Sequence, residues 1–277
     1  MNKTYSEALN WASSLLAQHD IDPDAARFVL EYRANFSPTQ LRMHGRDIMP
    51  EALWVQFQQD VPRLLQHVPA QYIVGLAPFF GADFVVSPAV LIPRFETEEL
   101  VAWAAADSAQ AATLLDMGTG SGIIGLTLKR QLPKLAVTMA DVSAEALAVA
   151  RQNAQRFELS VDLVQSDLFD QLGQARYDRI VANLPYISHA EEAVMDESTL
   201  EYEPKLALFA EHDGLALFER FCAAMPEHLN AGGAVYLEFG YHQQPALAAL
   251  FSRMLPQAAV QFRQDLAGHP RMVRLQF

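Results

Sequence analysis

The sequence predicts an α/β fold: a mostly parallel sheet with helices on both faces, preceded by a small helical segment. Three observations lead there. From Asp107 to Phe277, short apolar runs alternate with segments of helical period, as expected for a parallel sheet covered on both sides. Residues 1–75 carry helical periodicity only. Between them, residues 76–106 hold Phe79-Phe80-Gly81 and Phe84-Val85-Val86, punctuated by Pro78, Pro88 and Pro93. That stretch reads as a hairpin or extended connector.

Taken in order, Thr4 and Glu7 have capping-box spacing ahead of Ala8, Trp11, Ala12, Leu15 and Leu16 at helical period. Asp22-Pro23 reads as a cap and a first-position proline before Phe28, Val29 and Tyr32. Ser37-Pro38 starts a third helix, and Pro50 a fourth that Pro62 is expected to kink or divide. The candidate strands are Thr113–Met117, Val137–Asp141, Val161–Gln165, Arg179–Asn183 and Ala234–Phe239. Ile123–Arg130 and Ala144–Phe157 are helical between them, and Gln261–Asp265 with Val273–Phe277 close the sheet as an antiparallel pair. The organisation expected is a helical domain over 1–75, a connector over 76–106 and an α/β domain over 107–277.

Composition limits what this fold does. The chain has 277 residues, 51% hydrophobic and 19% charged, which is too apolar for disorder. The single cysteine, Cys222, excludes an internal disulfide and cysteine-based metal centres, and the eight histidines show no metal-ligand spacing. Cys222 reads as a core thiol. No signal-peptide pattern opens the sequence and no apolar run reaches the length of a membrane span, so a cytoplasmic location and no membrane partner are expected. The net charge of −13 argues against a protein that grips nucleic acid through its phosphates. A monomer is expected.

The chemistry-bearing segment begins at Leu114-Leu115-Asp116-Met117-Gly118-Thr119-Gly120-Ser121-Gly122, a strand running into a glycine turn and then a helix. Glycines there let backbone approach a ligand and leave amide N–H groups at a helix start. Asp141 ends the next strand, where a carboxylate accepts ribose hydroxyls. A nucleoside cofactor follows. Gly120, Gly122 and Gly125 satisfy the spacing for NAD, whereas alternating Gly118, Gly120 and Gly122 behind an acid suit S-adenosylmethionine, with Asp116 facing its ammonium. The loop leaves both open.

Asn183-Leu184-Pro185-Tyr186, after the fourth strand, decides for methyl transfer. A planar amide or aromatic nitrogen has a delocalised lone pair, and no ordinary side chain deprotonates it. Its N–H groups are instead accepted by the Asn183 side-chain oxygen and the Leu184 carbonyl, so that positioning supplies much of the acceleration. Tyr186 would pack on the acceptor; an unperturbed phenol is no base at neutral pH.

With these pieces the chain resembles the peptide-chain release factor glutamine N5-methyltransferases, the HemK/PrmC family. The likeness spans nearly all of it: Pro69–Gly75, Phe79-Phe80-Gly81, Val90–Glu98, Asp116–Gly122, Ser166–Phe169, Tyr202-Glu203-Pro204, Asp213-Gly214-Leu215, Gly232–Gln243 and Asp265–Arg271 follow in the family's order. The resemblance implies a class I, Rossmann-like methyltransferase with a mostly parallel seven-stranded sheet and S-adenosylmethionine as cofactor. It implies methylation of the glutamine amide in the Gly-Gly-Gln motif of class I release factors, hence an effect on translation termination. By matching position, Asp116, Gly118, Thr119, Gly120, Ser121, Gly122, Asp141, Leu168 and Asn183 bind the cofactor. Asn183, Leu184, Pro185 and Tyr186 hold the glutamine, and the helical domain helps dock the release factor.

Three positions depart from the family pattern. Leu184 stands for the usual proline but keeps the carbonyl and, preceding Pro185, an extended bias. Phe95 replaces a proline, and Leu168 an aromatic expected on adenine. Leu184 also makes the tetrapeptide similar to that of rRNA adenine-N6 dimethylases, which carry their small domain last and tend to be basic. Methylation of a ribosomal-protein glutamine is the other alternative; Arg94 opening the 94–98 segment favours the release-factor branch. Arg27, Arg33, Arg42 and Arg46 are a candidate patch for an acidic partner, read first as a solvated face. Glu238 and Tyr236 read as structural, and Trp11, Trp54 and Trp103 as core.

Overall fold

In a computed structural model, described over residues 3–277, the chain divides into two units: residues up to Leu76 together with Met195–Tyr202, and Ala77–Val194 with Glu203–Phe277. The first unit contains α1 (Tyr5–Ala17), α2 (Asp24–Ala34), α3 (Pro38–Met43), α4 (Glu51–Leu65) and α5 (Ala70–Val74). The Thr4–Glu7 capping box forms as expected, and Ser37 with Gln40 makes a second. Ala8, Ala12, Leu16, Val29, Leu30, Phe57 and Val61 are fully buried between the helices. Pro62 does not divide α4, which continues past it to Leu65 with the bond to the Gln58 carbonyl forgone. Arg33 turns inward, donating to both carboxylate oxygens of Asp60 at 2.7 and 3.1 Å and to the Ile73 carbonyl at 2.9 Å. It is therefore no part of a surface patch. Trp11, expected in the core, stays 36% exposed and meets Trp54 edge-on.

The chain passes into the second unit along the hairpin β1 (Leu76–Phe79) and β2 (Ala82–Val85). Phe80 and Gly81 both take positive φ, as a two-residue hairpin turn requires. Next comes α6 (Phe95–Ala106). The connector read from sequence therefore ends at Arg94. Leu100, Val101, Trp103 and Ala104 of α6 are core residues packed with Leu114 and Tyr236. The sheet elements follow: β3 (Thr113–Met117), α7 (Ile123–Gln131), β4 (Ala136–Asp141), α8 (Ala144–Arg156), β5 (Asp162–Gln165) and β6 (Tyr177–Ala182). The short α9 (Glu197–Tyr202) groups with the helical unit, tied there by Tyr202 to the Gln66 carbonyl and Ser198 to the His67 carbonyl. Then come α10 (Ala216–Ala224), β7 (Leu229–Glu238), α11 (Gln244–Met254), β8 (Ala259–Gln264) and β9 (Pro270–Gln276).

The seven strands run β5-β4-β3-β6-β7-β9-β8. All pairs are parallel except β7–β9 and β8–β9, so the expected antiparallel closure forms. Strand order reverses between β3 and β6, and a crevice opens beyond the carboxyl ends at such a switch point. Met117 and Ala182 are register partners across it. The glycine turn and Asn183 therefore emerge side by side.

Candidate active site

The turn after β3 is held by backbone. Gly118 and Thr119 N–H both donate to the Ala140 carbonyl, at 2.8 and 3.0 Å. Gly118, at φ +71°, lies where a Cβ would press on Leu184 Cδ2 at 3.2 Å, so the two loops meet closely at a backbone conformation that suits glycine. Asp141 links the turn to the next helix: one carboxylate oxygen accepts from Gly120 N–H at 2.8 Å, the other from Ser143 N–H at 2.9 Å. Burial raises its pKa above the ordinary carboxylate value, and those two amides only partly offset the rise. Each oxygen keeps further lone-pair capacity.

Asp116 lies elsewhere than expected. It is fully buried behind the turn, with one oxygen accepting from Thr119 Oγ1 at 2.5 Å and from Gly125 N–H at 2.8 Å. It is not on the crevice wall, and Oδ1 has no hydrogen-bond partner among the described residues. Burial raises its pKa to about 7. Its geometry is that of a clamp between the turn and α7.

These loops enclose a cavity of about 300 Å³. Gly118, Thr119, Gly120, Ser121, Asp141, Leu168, Asn183, Leu184 and Pro185 line it, whereas Asp116, Gly122 and Tyr186 do not. Gly122 instead lies against Met139 and Leu126, where a Cβ would come within 2.8 and 2.9 Å. Leu168 takes φ +48°, a conformation that costs a non-glycine residue about 1–2 kcal/mol. Ser166 holds it there, donating to the Leu168 carbonyl at 2.6 Å and accepting from Gln171 N–H.

Three groups at the site were not singled out for it by sequence reasoning. Thr97 and Glu238, both 1% exposed, form a 2.7 Å hydrogen bond, and Asn183 Nδ2 donates to Thr97 Oγ1 at 3.2 Å. Tyr186 donates to the other Glu238 oxygen at 3.2 Å. Glu238, read as structural, is thus joined to two members of the tetrapeptide. Asn153 spans the hairpin and the glycine turn, bonding Val85 N–H, the Val85 carbonyl and the Ser121 carbonyl. The sequence signal for Thr97 lay in the 94–98 segment; nothing local marks Asn153.

Residues 96–201 match the family model described as "Methyltransferase small domain", and residues 7–75 match "PrmC N-terminal domain". A release factor glutamine methyltransferase from Enterococcus faecalis is 39% identical, covering 98% of this chain and 99% of the relative. That of Streptococcus pneumoniae is 43% identical over 95% of each. Among solved structures, a methyltransferase from Pyrococcus furiosus superposes with a TM-score of 0.53 at 17% identity, over 79% of this chain and 98% of that one. That likeness concerns the fold. Fold and site together define a class I methyltransferase with a mostly parallel seven-stranded sheet.

More narrowly, the chain belongs to the release factor glutamine methyltransferase family. The end-to-end match to these relatives does not favour the ribosomal-protein and rRNA alternatives.

Proposed function

We propose that this protein transfers a methyl group from S-adenosylmethionine to the side-chain nitrogen of the Gly-Gly-Gln glutamine in class I release factors. The observation that carries the reading is the Asn183 amide, which shares one cavity with the glycine turn and Asp141. The residues present suit the nucleoside. Asp141 retains acceptor capacity for ribose hydroxyls, and Ile123, Val142 and Leu168 give the same cavity apolar surface. Gly118 and Gly120 take positive φ and present backbone to the cavity.

When bound, the cofactor supplies an electrophilic methyl on a sulfonium. The protein's task is to place the acceptor. Asn183 Oδ1 and the Leu184 carbonyl accept the two N–H hydrogens of the glutamine amide, holding its nitrogen in line with the methyl. Leu184 supports this by packing its side chain on Gly118. Tyr186, outside the cavity wall, braces the turn through Glu238 and through its carbonyl, which accepts from Gln243. Burial and the neighbouring Glu238 carboxylate raise its phenol pKa, which removes it as a base. Asp116 acts behind the turn. The helical unit docks the release factor, which places the reaction in the cytoplasm.

The test is intact-mass and fragment analysis of a purified class I release factor incubated with this protein and S-adenosylmethionine. One methyl on the Gly-Gly-Gln glutamine establishes donor, reaction and acceptor. A release factor left unmodified by cofactor-bound protein overturns the acceptor.

A further inference from the structure

We propose that Thr97 and Glu238 are a positioning pair that sets which end of the Asn183 amide faces the acceptor nitrogen. This rests on the methyl-transfer reading above.

A hydroxyl has one proton to give. Thr97 Oγ1 lies 2.7 Å from Glu238 Oε2 and 3.2 Å from Asn183 Nδ2. An ionised Glu238 accepts only, so the Thr97 proton goes to it, and Thr97 in turn accepts from Asn183. The amide NH2 is then committed to Thr97, and Oδ1 is the atom turned away from it. Rotating the amide by half a turn would set Oδ1 against the Thr97 lone pairs, an unfavourable contact between buried acceptors. An acceptor N–H needs Oδ1, so only the first orientation is productive. All three residues sit at the ends of rigid elements: Thr97 in the first turn of α6, Asn183 just after β6, and Glu238 at the end of β7.

Protonation of Glu238 reverses the logic. A carboxylic acid can donate to Thr97, which frees the Thr97 proton for Asn183 Oδ1 and makes the flipped amide equally comfortable. The groups facing Glu238 are Thr97 and Glu96 from α6, Tyr186 after β6, and Arg271 from β9. Burial dominates and raises its pKa to about 7, opposed by Thr97, Arg271 and Tyr186 and assisted by Glu96. The oriented state is therefore present above that pH and lost as pH falls through it.

The experiment compares Thr97→Val, Thr97→Ser and Glu238→Gln with the full-length parent. Steady-state kinetics on a class I release factor are paired with 15N-edited spectra of the Asn183 side-chain amide without cofactor. Thr97→Val is expected to lower kcat about 100-fold, with KM for S-adenosylmethionine within about twofold. Thr97→Ser, which restores the hydroxyl, is expected to recover to within about threefold of the parent. In the parent the Asn183 amide signals shift with an inflection near 7, and both Thr97→Val and Glu238→Gln abolish it. Equal losses in Thr97→Val and Thr97→Ser, an unchanged kcat in Thr97→Val, or no inflection in the parent overturns the pair. If the parent itself methylates no release factor, the acceptor assignment fails, and the spectra alone decide the pair.

Discussion

Arg94 Nη2 donates to Glu203 Oε1 at 2.6 Å, joining positions 109 residues apart. The other Glu203 oxygen accepts from Ile92 N–H at 3.0 Å. Two of the segments that carry the family resemblance, one before α6 and one after α9, thus meet in a single carboxylate. Arg94 and Pro204 both line the cavity, so the pair shapes its rim. Glu203 is buried and Arg94 partly exposed. Arg94→Ala removes a charge-assisted partner from a buried carboxylate and should cost about 1–3 kcal/mol, read by urea denaturation. Cofactor affinity should fall with it. An unchanged midpoint would mean that the pair is neutral to stability.

Gly214, at φ +83°, shows the same convergence in backbone. A Cβ there would fall on the Tyr186 carbonyl oxygen and crowd Gln243 Nε2 at 2.5 Å. Gly214→Ala should displace the turn that carries Asn183, lowering kcat by at least about tenfold. Cofactor binding, measured calorimetrically, should change much less.

Asn183→Ala removes the proposed acceptor of the substrate N–H. Methyl transfer should vanish while S-adenosylmethionine still binds, though more weakly. Transfer at a near-normal rate would take Asn183 out of the mechanism.

Asp116 makes a pH prediction with a definite sign. Burial raises its folded pKa to about 7, above that of the unfolded chain at about 3.9. The folded state therefore holds the proton more tightly. Stability from this group is fully present below the unfolded value and is lost as pH rises through about 7. Asp116→Asn, which carries no charge, should be relatively more stable at pH 8 than at pH 5.5, by about 1 kcal/mol or more. Parallel melting curves for parent and variant across that range would contradict it.

On the helical unit, Arg33 is committed to Asp60 and Arg27 to Asp24, whereas Arg42 and Arg46 are exposed. The double variant Arg42→Glu, Arg46→Glu should raise KM for the release factor several-fold and leave cofactor affinity alone. An unaltered KM would return these arginines to an ordinary solvated face.

What was legible in the sequence was local or periodic. Thr113–Met117 shows as a strand because its apolar run is broken by a glycine turn, and the Thr4–Glu7 cap shows because both partners lie within one helical turn. The glycine loop, Asp141 and Asn183 were legible for the same reason: each lies at, or directly after, the end of its own strand. Position 62 misled because the sequence shows the proline but not that α4 continues past it only as far as Leu65.

The sequence by itself determined the α/β class, the order of elements, the family and the residues that face the cavity from the glycine turn, Asp141 and Asn183. Only the tertiary structure decided which way those side chains turn and what holds them. Asp116 turns behind its loop, where Thr119 Oγ1 and Gly125 N–H donate to it. Glu238 becomes part of the site because parallel pairing of β6 and β7 sets its strand end beside Asn183, with Thr97 delivered by α6. Hydrogen bonds between residues 86 and 141 positions apart leave no periodicity in a sequence. They exist only once the sheet has brought its strand ends together.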